Sequence, residues 1–378
     1  MKKILFCASR VSHILNFHIP YIKYFKENGY TVDIAVQGNT DINLIDNCFD
    51  LKFTKSLFSA DNIKTVFKLK NIIKTGNYDI ICSNTTLAGV AVRTAMMLVG
   101  NPKPYLVHIS HGYMFGQKNN FKSKIYLLCE KITSKPVDSL AVMNKEDYIL
   151  AEKYHLGENI HYIYGMGVCA EKFPVLSLNE RNKIRQKIGA SENTKLILCV
   201  GEFSARKNQT AVITAFNKIA QKHKNAVLIF AGEGQTLKKC KDMVYEYELE
   251  DRVRFLGQVD DINSIYRSCD ILLSASKMEG LPFNVMEALL CGLPVIVSDI
   301  KGHNDLIIDR KNGLLFKKDS VDDMVRKMDE LFSDESLFTY ICSNARLEQK
   351  YMLQNAEPQL LKILDKNYRY TVFDSKKS

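Results

Sequence analysis

The sequence predicts an α/β protein made of two domains, each built on a doubly wound parallel sheet. The chain has 378 residues, which is more than one hydrophobic core usually serves. Short runs rich in Ile, Val and Leu alternate with longer amphipathic segments through both halves. Strands and helices that alternate on this scale form parallel sheets covered on both faces, with ligands at the carboxyl ends of the strands.

The apolar runs define the elements in order. The first half predicts five strands, "KILFCA", "TVDIAV", "DIICS", "YLVHIS" and "SLAVM", with helices at 17–28, 61–75, 85–98 and 145–155. The second half predicts five more strands, "KLILCVG", "AVLIFAG", "VRFLG", "ILLSA" and "PVIVSD". Gly167 and Pro174 stand in an irregular polar stretch, so we place the linker at about 165–178.

Cysteine usage and hydropathy predict a cytoplasmic protein. The ten cysteines form no CxxC pair and no Cys/His cluster at zinc spacing, which favours reduced thiols. The first apolar run, 4–8, is too short for a signal peptide. The longest, "LAGVAVRTAMMLVG", contains Arg93, and we expect no segment to cross a membrane.

The net charge of +10 is distributed unevenly. Residues 1–172 hold 21 Lys and Arg against 14 Asp and Glu. Such an excess attracts phosphates, nucleic acid or anionic lipid, or is only a solvated basic surface. Because the sequence has no recognisable nucleic-acid-binding motif, we expect no nucleic acid as a partner.

The stretch "KMEGLPFNVMEALLCGLPVIVSD", residues 277–299, carries two glutamates eight residues apart. It predicts a turn and then a helix that ends at Gly292, with Pro282 in the first turn. Glu287 would lie inside this helix among apolar residues, where a carboxylate needs hydrogen-bond donors such as sugar hydroxyls. Gly280 would let a ligand approach the backbone beside Glu279, and we expect the amides of 281–284 to point at an anion.

Arg206 and Lys207 follow another strand, in "VGEFSARKNQTAVITAF". Two cations in a loop just before a helix suit a diphosphate, because guanidinium, ammonium and backbone amides all favour negative charge. Taken alone, adjacent basic residues in a loop are more often solvated surface.

These blocks together resemble a known family. The Glu pair and four other blocks of the second half are similar to the donor half of retaining glycosyltransferase family 4. These blocks, which occur in the same order as in the family, are "VGEFSARKNQTAVITAF", "LIFAGEGQTLKKC", "RVRFLGQVDDINSIYRSCDILLSAS" and "RKNGLLFKKDS". Two blocks of the first half are similar to members of the family that build bacterial capsule, exopolysaccharide and O-antigen chains. These blocks are "SRVSHILNFHIPYIKYFKENGYTVDIAVQ" and "HISHGYMFGQKNNFKSKIYLLCEKITSKPVDSLAVMNKEDY". The resemblance implies the GT-B architecture, in which two Rossmann-like domains face a central cleft.

The resemblance also implies roles for residues. Glu279 is expected to meet hydroxyls of the donor sugar, Glu287 the ribose hydroxyls, and the turn 256–259 the base. The diphosphate is expected to contact a larger set: Arg206, Lys207, Gly280, Leu281, Pro282 and Phe283. Many members have Arg where this chain has Glu202, so its grip on the diphosphate would depend more on the two cations.

The resemblance implies transfer with retention, and UDP as the commonest nucleotide of such members, with GDP as the alternative. Preorganised positive charge on the phosphate oxygens stabilises the leaving group. The sequence has no DxD-like carboxylate cluster in a suitable loop, "VDDI" being the nearest, so we expect neither metal nor cofactor. We see no residue that must be a covalent nucleophile, although Glu279 could be mistaken for one.

His111 follows the strand "YLVHIS" and matches the position where family members place a His beside the donor sugar. A lone His is more often structural, as we expect for His108. The loop 9–18 stands where many members carry a Gly-Gly turn, which this chain lacks. Ser12, His13 and Asn16 are therefore candidates for acceptor or loop contacts without an assigned role.

Residues 118–135 predict a basic amphipathic helix. Phe121, Ile125, Leu128 and Ile132 share one face, and the lysines 118, 122, 124, 131 and 135 lie mainly off it. Such a helix either lies on anionic lipid at the inner face of the cytoplasmic membrane or packs on the sheet. The first alternative fits an acceptor glycan carried on a polyprenyl diphosphate.

The domains are therefore assigned as an acceptor-binding domain, 1–170 with the helix of 352–378, and a donor-binding domain, 171–351. The expected activity is transfer of a hexose or N-acetylhexosamine from a nucleotide sugar. A nucleotide-sugar epimerase of similar architecture and a transferase with a soluble acceptor remain alternatives. No GxGxxG follows the first strand, which disfavours an NAD enzyme.

Overall fold

The computed structural model describes residues 1–54, 59–116 and 120–368. The chain forms two compact units, Met1–Gly167 with Leu353–Ser378, and Val168–Met352.

The first unit contains a seven-stranded parallel sheet in the order β3-β2-β1-β4-β5-β6-β7. Its strands are β1 Lys3–Cys7, β2 Thr31–Val36, β3 Asn47–Asp50, β4 Ile80–Asn84, β5 Tyr105–Ser110, β6 Ser139–Val142 and β7 Asn159–Tyr162. The helices between them are α1 Val11–Phe17, α2 Ile19–Glu27, α3 Ala60–Gly76, α4 Thr86–Met97, α5 Phe121–Thr133 and α6 Lys145–Tyr154.

The second unit contains a six-stranded parallel sheet in the order β10-β9-β8-β11-β12-β13. Its strands are β8 Lys195–Val200, β9 Ala226–Ala231, β10 Val253–Phe255, β11 Ile271–Ser274, β12 Val295–Ser298 and β13 Gly313–Phe316. Its helices are α7 Leu178–Lys187, α8 Gln209–Ala220, α9 Leu237–Glu246, α10 Ile262–Ser268, α11 Phe283–Leu290, α12 Val321–Ser333 and α13 Glu335–Asn344. The last helix, α14 Leu353–Leu364, belongs to the first unit.

These sheets confirm the predicted α/β class with doubly wound parallel sheets. The central strands are fully buried; Leu198 of β8 and Leu272 of β11, paired in register, are both 0% exposed. Each such side chain contributes roughly 1.5–3 kcal/mol by leaving water. This burial on both faces explains why the predicted strands read as continuous apolar runs rather than alternating ones.

The predicted helix 17–28 is confirmed as α2, Ile19–Glu27, with bounds that differ by one or two residues. A separate helix, α1, precedes it, with His18 between the two at φ −111°. Pro20 is the cause, because it has no N–H to donate to the carbonyl of Asn16 and its ring would clash with that carbonyl. The segment 9–18, expected to be a loop, is therefore mostly helical.

Candidate functional site

The first candidate site lies at the carboxyl ends of β8 and β11. The chain runs outward from β8 through β9 to β10 and then returns to place β11 on the other side of β8. The loops that leave β8 and β11 diverge, which is the usual position of a ligand crevice in an open sheet. The Lys277 N–H joins these loops by donating to the Arg206 carbonyl at 2.8 Å.

Glu279 lies between the two predicted diphosphate ligands. Its Oε2 is 2.8 Å from Arg206 Nη1, and its Oε1 is 2.8 Å from Lys207 Nζ. The Glu279 side chain is 9% exposed, Lys207 14% and Arg206 41%. The three residues that the sequence analysis assigned to sugar and diphosphate are therefore one ion-paired group.

This arrangement keeps Glu279 ionised. Burial alone would raise the pKa of its carboxyl, but Lys207 and Arg206 outweigh burial and lower the pKa to about 2. A buried carboxylate with two cationic partners is a fixed negative charge, and the cations are a fixed positive surface beside it. The group can accept hydroxyl donors on one side and a phosphate on the other.

Glu287 is in α11, as predicted, and has one hydrogen-bond donor that the sequence analysis missed. The helix begins at Phe283 with Pro282 as its N-cap and ends before Gly292, which has φ +73°. The hydroxyl of Tyr266, a fully buried residue of α10, donates to Glu287 Oε2 at 2.8 Å. Tyr266 therefore fixes the orientation of this carboxylate.

The environment of Glu287 has the opposite electrostatic effect from that of Glu279. Burial raises the pKa of Glu287 to about 7, and the Tyr266 hydrogen bond and Lys207 offset that rise only in part. The carboxyl is thus close to half-protonated near neutral pH. An added hydrogen-bond donor, such as a ribose hydroxyl, would favour the ionised form.

His303 is a further side chain near this group, in the loop after β12. It is 0% exposed, and its Nδ1 lies 2.7 Å from the Ser298 carbonyl, so Nδ1 carries the proton in the neutral ring. Burial lowers the pKa of His303 to about 4, although the charge of Glu279 raises it. Gly302 places this loop against Glu279: it has φ +81°, and a Cβ there would lie 2.6 Å from the Gly280 carbonyl oxygen.

The remaining predicted donor residues lie around the same strand ends. Gly280, Leu281 and Pro282 are buried and lead from β11 into α11. Asn284 anchors this helix by donating from Nδ2 to the Val200 carbonyl at 3.1 Å. The turn 256–259 leaves β10, where the Gly257 carbonyl accepts from the Gly232 N–H at 2.7 Å.

The second candidate site lies in the first unit, where the strand order reverses between β1 and β4. Ser9 Oγ is 2.6 Å from Thr85 Oγ1, which joins the two strand ends. Thr85 has φ +63° and ψ 158°, a conformation that almost only glycine adopts and that costs about 1–3 kcal/mol. Backbone strain of this kind is common at functional sites.

His111 lies at this same edge, directly after β5, and its ring reaches Asn84 at the end of β4. The His111 Nε2 is 3.2 Å from Asn84 Oδ1. Asn84 is fully buried and is itself held by a bond from its Nδ2 to the Cys7 carbonyl. Burial lowers the pKa of His111 well below its usual range, so the ring is neutral. His108, by contrast, is buried beside Ser83, as expected of a structural residue.

Ser12, His13 and Asn16 were treated as loop residues, but all three are in α1. They do not act on one surface: Ser12 and Asn16 are exposed, whereas the His13 ring packs edge-on against His111 with ring centroids 4.5 Å apart. A helix places i and i+4 together and turns i+1 away, which separates His13 from the other two. Only His13 joins the group at the strand ends.

The helix α5 exposes the apolar face that could have packed on the sheet. Phe121 is 80% exposed, Leu128 57% and Ile132 49%, while Glu130 and Thr133 face inward. Glu130 holds the helix to α4 through an ion pair from Arg93 Nη1 to Glu130 Oε2 of 2.6 Å. The flanking lysines 122, 124, 131 and 135 are exposed, and Lys118 lies outside the described residues.

No helix in the described part of the chain is long and apolar enough to cross a bilayer.

Comparison with protein families gives two matches. Residues 180–348 match the model "Glycosyl transferases group 1", and residues 3–144 match "Glycosyl transferase 4-like". The first match contains the Arg206, Lys207, Glu279 and Glu287 group, and the second contains His13, Asn84 and His111.

Individual relatives cover most of the chain. The protein named EpsD from Bacillus subtilis (strain 168) is 31% identical over 338 residues, 89% of each chain. The UDP-Gal:alpha-D-GlcNAc-diphosphoundecaprenol alpha-1,3-galactosyltransferase of Escherichia coli is 26% identical over 293 residues, 75% of this chain and 74% of that one. The structure of Anabaena Alr3699/HepE in complex with UDP-glucose has the same fold, with a TM-score of 0.77, 19% identity and coverage of 96% and 99%.

Proposed function

Because the chain belongs to the group 1 glycosyltransferases with a family-4-like first half, we propose that it moves a hexose or N-acetylhexosamine from a UDP-sugar to a growing bacterial cell-surface glycan. The observation that carries the proposal is Glu279, held 2.8 Å from both Arg206 and Lys207 at the strand-order reversal. Such a group offers a carboxylate to sugar hydroxyls and two cations to a diphosphate. UDP as the nucleotide is supported by the names of the E. coli relative and of the HepE complex.

In this proposal the leaving diphosphate is stabilised by residues of the chain. The bond from the anomeric carbon to the diphosphate oxygen breaks, and a hydroxyl oxygen of the acceptor bonds to that carbon. Negative charge develops on the departing diphosphate, which takes up the proton of the acceptor hydroxyl. Preorganised donors of the type of Arg206 and Lys207 are each worth roughly 3–4 kcal/mol when they face developing charge in a dry site. Because these two cations supply the charge, we propose that transfer needs no metal, and that the sugar keeps its anomeric configuration.

His111 and Glu287 complete the roles. His111 is neutral and positioned by Asn84, so it can hydrogen bond a sugar hydroxyl without bringing charge to the oxocarbenium-like centre. Glu287, oriented by Tyr266, would bind the ribose. We assign His111 and Glu279 to the sugar and Glu287 to the nucleotide.

The acceptor in this proposal is a glycan on a polyprenyl diphosphate. The E. coli relative is named for an acceptor of that chemistry, and two other E. coli relatives are named for O-antigen biosynthesis. Such an acceptor remains in the membrane, so the enzyme must work at its cytoplasmic face. A peripheral contact would bring the enzyme to its substrate.

We assign that contact to the exposed face of α5. Phe121, Leu128 and Ile132 expose apolar side chains to solvent. The exposed lysines around them complement anionic headgroups, each worth about 1 kcal/mol near such a surface. An apolar stripe with a basic rim is the pattern of a helix that lies in the interface plane.

The test is a transfer assay with purified protein, a panel of UDP-sugars and GDP-sugars, and a synthetic polyprenyl-diphosphate sugar, with and without EDTA. We expect one UDP-sugar to be consumed, EDTA to have no effect, and NMR of the product to give the anomeric configuration of the donor. Acceptor-independent formation of an epimer would instead identify an epimerase. Loss of transfer in EDTA would contradict the metal-independent mechanism.

A further inference from the structure

Three histidines of the first unit converge at the strand ends beyond β1. His13 lies in α1, His18 between α1 and α2, and His111 after β5. Each offers a ring nitrogen, and these nitrogens all lie within 4.8 Å of one another. Two segments of chain, α1 with the residue that follows it and the end of β5, therefore bring three imidazoles to one point.

The innermost of these residues is fully buried, and its hydrogen bonding is poor for a buried imidazole. His18 is 0% exposed, and neither of its ring nitrogens makes a hydrogen bond of good geometry within the described ranges 1–54, 59–116 and 120–368. The Nε2 of His13 is likewise buried and unbonded among those residues. Burial and the neighbouring His13 lower the pKa of His18 well below its usual range and keep the ring neutral, although a hydrogen bond with Asn84 acts in the opposite direction. A buried polar group left unpaired costs about 1–3 kcal/mol, so its retention requires an explanation.

We infer that His13, His18 and His111 form a binding site for a transition-metal dication of the zinc type, and that the metal, when bound, inhibits sugar transfer. Neutral imidazole is a preferred ligand of zinc, nickel and copper, and three histidines with an open fourth position are a common zinc set. The cluster contains no carboxylate, so it does not suit magnesium or calcium, which take oxygen ligands. The described part of the chain offers no other group of this kind.

The geometry requires only side-chain adjustment. At zinc–nitrogen distances of about 2.0–2.1 Å, two nitrogens on a tetrahedral ion lie about 3.3 Å apart. Each separation in the cluster must therefore contract by no more than about 1.5 Å, which ring rotation at the partly exposed His13 and His111 can supply. Asn84 acts as an outer partner: it accepts from His111 Nε2–H and leaves Nδ1 with the lone pair.

The inhibitory part of the inference rests on the proposed function. His111 cannot hydrogen bond a sugar hydroxyl while it ligates a metal, and a dication would stand where positive charge develops on the sugar. The metal is therefore an inhibitor of the reaction and not its cofactor. Release of the metal restores His111.

The first experiment measures binding without any transfer step. Untagged, metal-free full-length protein is titrated with Co²⁺, and the visible absorption of the ion is followed. We expect one equivalent to give the intense visible bands of a tetrahedral site, and Zn²⁺ to abolish them. His18→Leu should bind Co²⁺ more weakly than wild type. The loss of affinity should exceed the factor of about 10 to 100 that removal of an outer partner costs.

If His18 had only a structural role, its replacement would lower the stability of the metal-free protein. A role as a metal ligand predicts no such loss. Leu has nearly the volume of His and removes two unpaired nitrogens, so the metal-free His18→Leu protein should unfold at the same or a higher temperature than wild type. His155→Asn serves as the control, because residue 155 has φ +51°, a conformation that Asn tolerates, and lies outside the cluster. A lower unfolding temperature for His18→Leu, or cobalt spectra that this variant leaves unchanged, would overturn the metal site.

The second experiment is the transfer assay with Zn²⁺ at concentrations that fill the site. We expect inhibition that EDTA reverses and that follows the binding curve. Transfer that continues at full rate with the site filled would overturn the inhibitory role. Because the cobalt titration involves no donor or acceptor, failure of the proposed function leaves its result unchanged.

Discussion

Replacing Glu279 by Gln tests the ion-paired group most directly. The pKa of Glu279 is about 2, against an ordinary value of 4.5. One pKa unit corresponds to 1.36 kcal/mol, so ionisation of this carboxyl stabilises the folded state by roughly 3 kcal/mol. Gln keeps the shape and removes the charge, which leaves Lys207, 14% exposed, without its counter-ion. We therefore expect Glu279→Gln to be less stable than wild type by roughly 3 kcal/mol at neutral pH.

The chain has no Trp, so unfolding is best followed by far-UV circular dichroism with calorimetry to separate the transitions. For a domain of this size, 3 kcal/mol lowers the unfolding temperature by roughly 6–12 °C. Asp322→Asn is the matched control: it removes an ion pair to Lys218 whose side chains are 88% and 51% exposed, which is worth about 0–1 kcal/mol.

The pH dependence follows from the lowered pKa. The stabilisation is fully present above about 4.5, the unfolded value, and is lost as the pH falls toward about 2. The difference between wild type and Glu279→Gln should thus be constant from pH 5 to 8 and shrink below pH 4.5. A variant as stable as wild type, or a difference that changes between pH 6 and 8, would refute the reasoning.

Ligand binding gives an independent result for the same variant. In the unliganded protein Glu279 pairs with both cations, so a diphosphate competes with this carboxylate for them. Calorimetric titration should find that Glu279→Gln binds UDP at least as tightly as wild type. The variant should lose transfer, because the donor sugar no longer has the carboxylate that accepts its hydroxyl hydrogens. Weaker binding of UDP together with full transfer would mean that the roles are wrongly assigned.

Four further predictions concern the other groups. The affinity for UDP should rise as the pH increases through about 7, where Glu287 ionises, and Glu287→Gln should remove that dependence. The wild type should also lose stability relative to Glu287→Gln between pH 4.5 and 7, because the pKa of Glu287 is higher in the folded state than in the unfolded state. Tyr266→Phe should move the pH midpoint of the change in UDP affinity upward, because it removes the hydrogen-bond donor to the Glu287 carboxylate. A midpoint that stays at the same pH would contradict this. His111→Asn should lower kcat by about tenfold, the value of one hydrogen bond, and leave the UDP dissociation constant unchanged, whereas a weakened UDP affinity would place His111 elsewhere. Replacing three lysines of α5 by Gln should weaken flotation with anionic vesicles by about 100-fold, while the same change on α9 should not; equal flotation of both would exclude α5. The residues are Lys122, Lys124 and Lys131 for the test and Lys238, Lys239 and Lys241 for the control.

The strands that the sequence missed are all edge strands, although one edge strand, β10, was predicted as "VRFLG". β3, β7 and β13 each end a sheet and have four residues. "NCFD" and "NIHY" contain polar residues because an edge strand is only partly covered, so neither gives a continuous apolar run. Central strands are buried on both faces and therefore identify themselves in the sequence.

The ion pairs of Glu279 could not be predicted from spacing, because Arg206 and Glu279 are 73 positions apart. Their meeting depends on β8 and β11 being neighbours, which is a property of strand order. His303 could have been found, since it follows a strand end as His111 does. Tyr266 gives no such signal; it is a Tyr in a short helix, and only the fold brings its hydroxyl to Glu287.

The opposite environments of the two glutamates bear on how the sugar is transferred. A carboxylate that attacks the anomeric carbon must have an available lone pair and be a good nucleophile. Glu279 has both oxygens within 2.8 Å of cations and a pKa of about 2, which makes it a weak nucleophile. Glu287 has the higher pKa, about 7, but its Oε2 accepts from the Tyr266 hydroxyl and its carboxyl is close to half-protonated at neutral pH. Neither group is prepared for covalent catalysis, and both are prepared to accept hydroxyl hydrogens, which favours direct transfer with the leaving diphosphate held by Arg206 and Lys207.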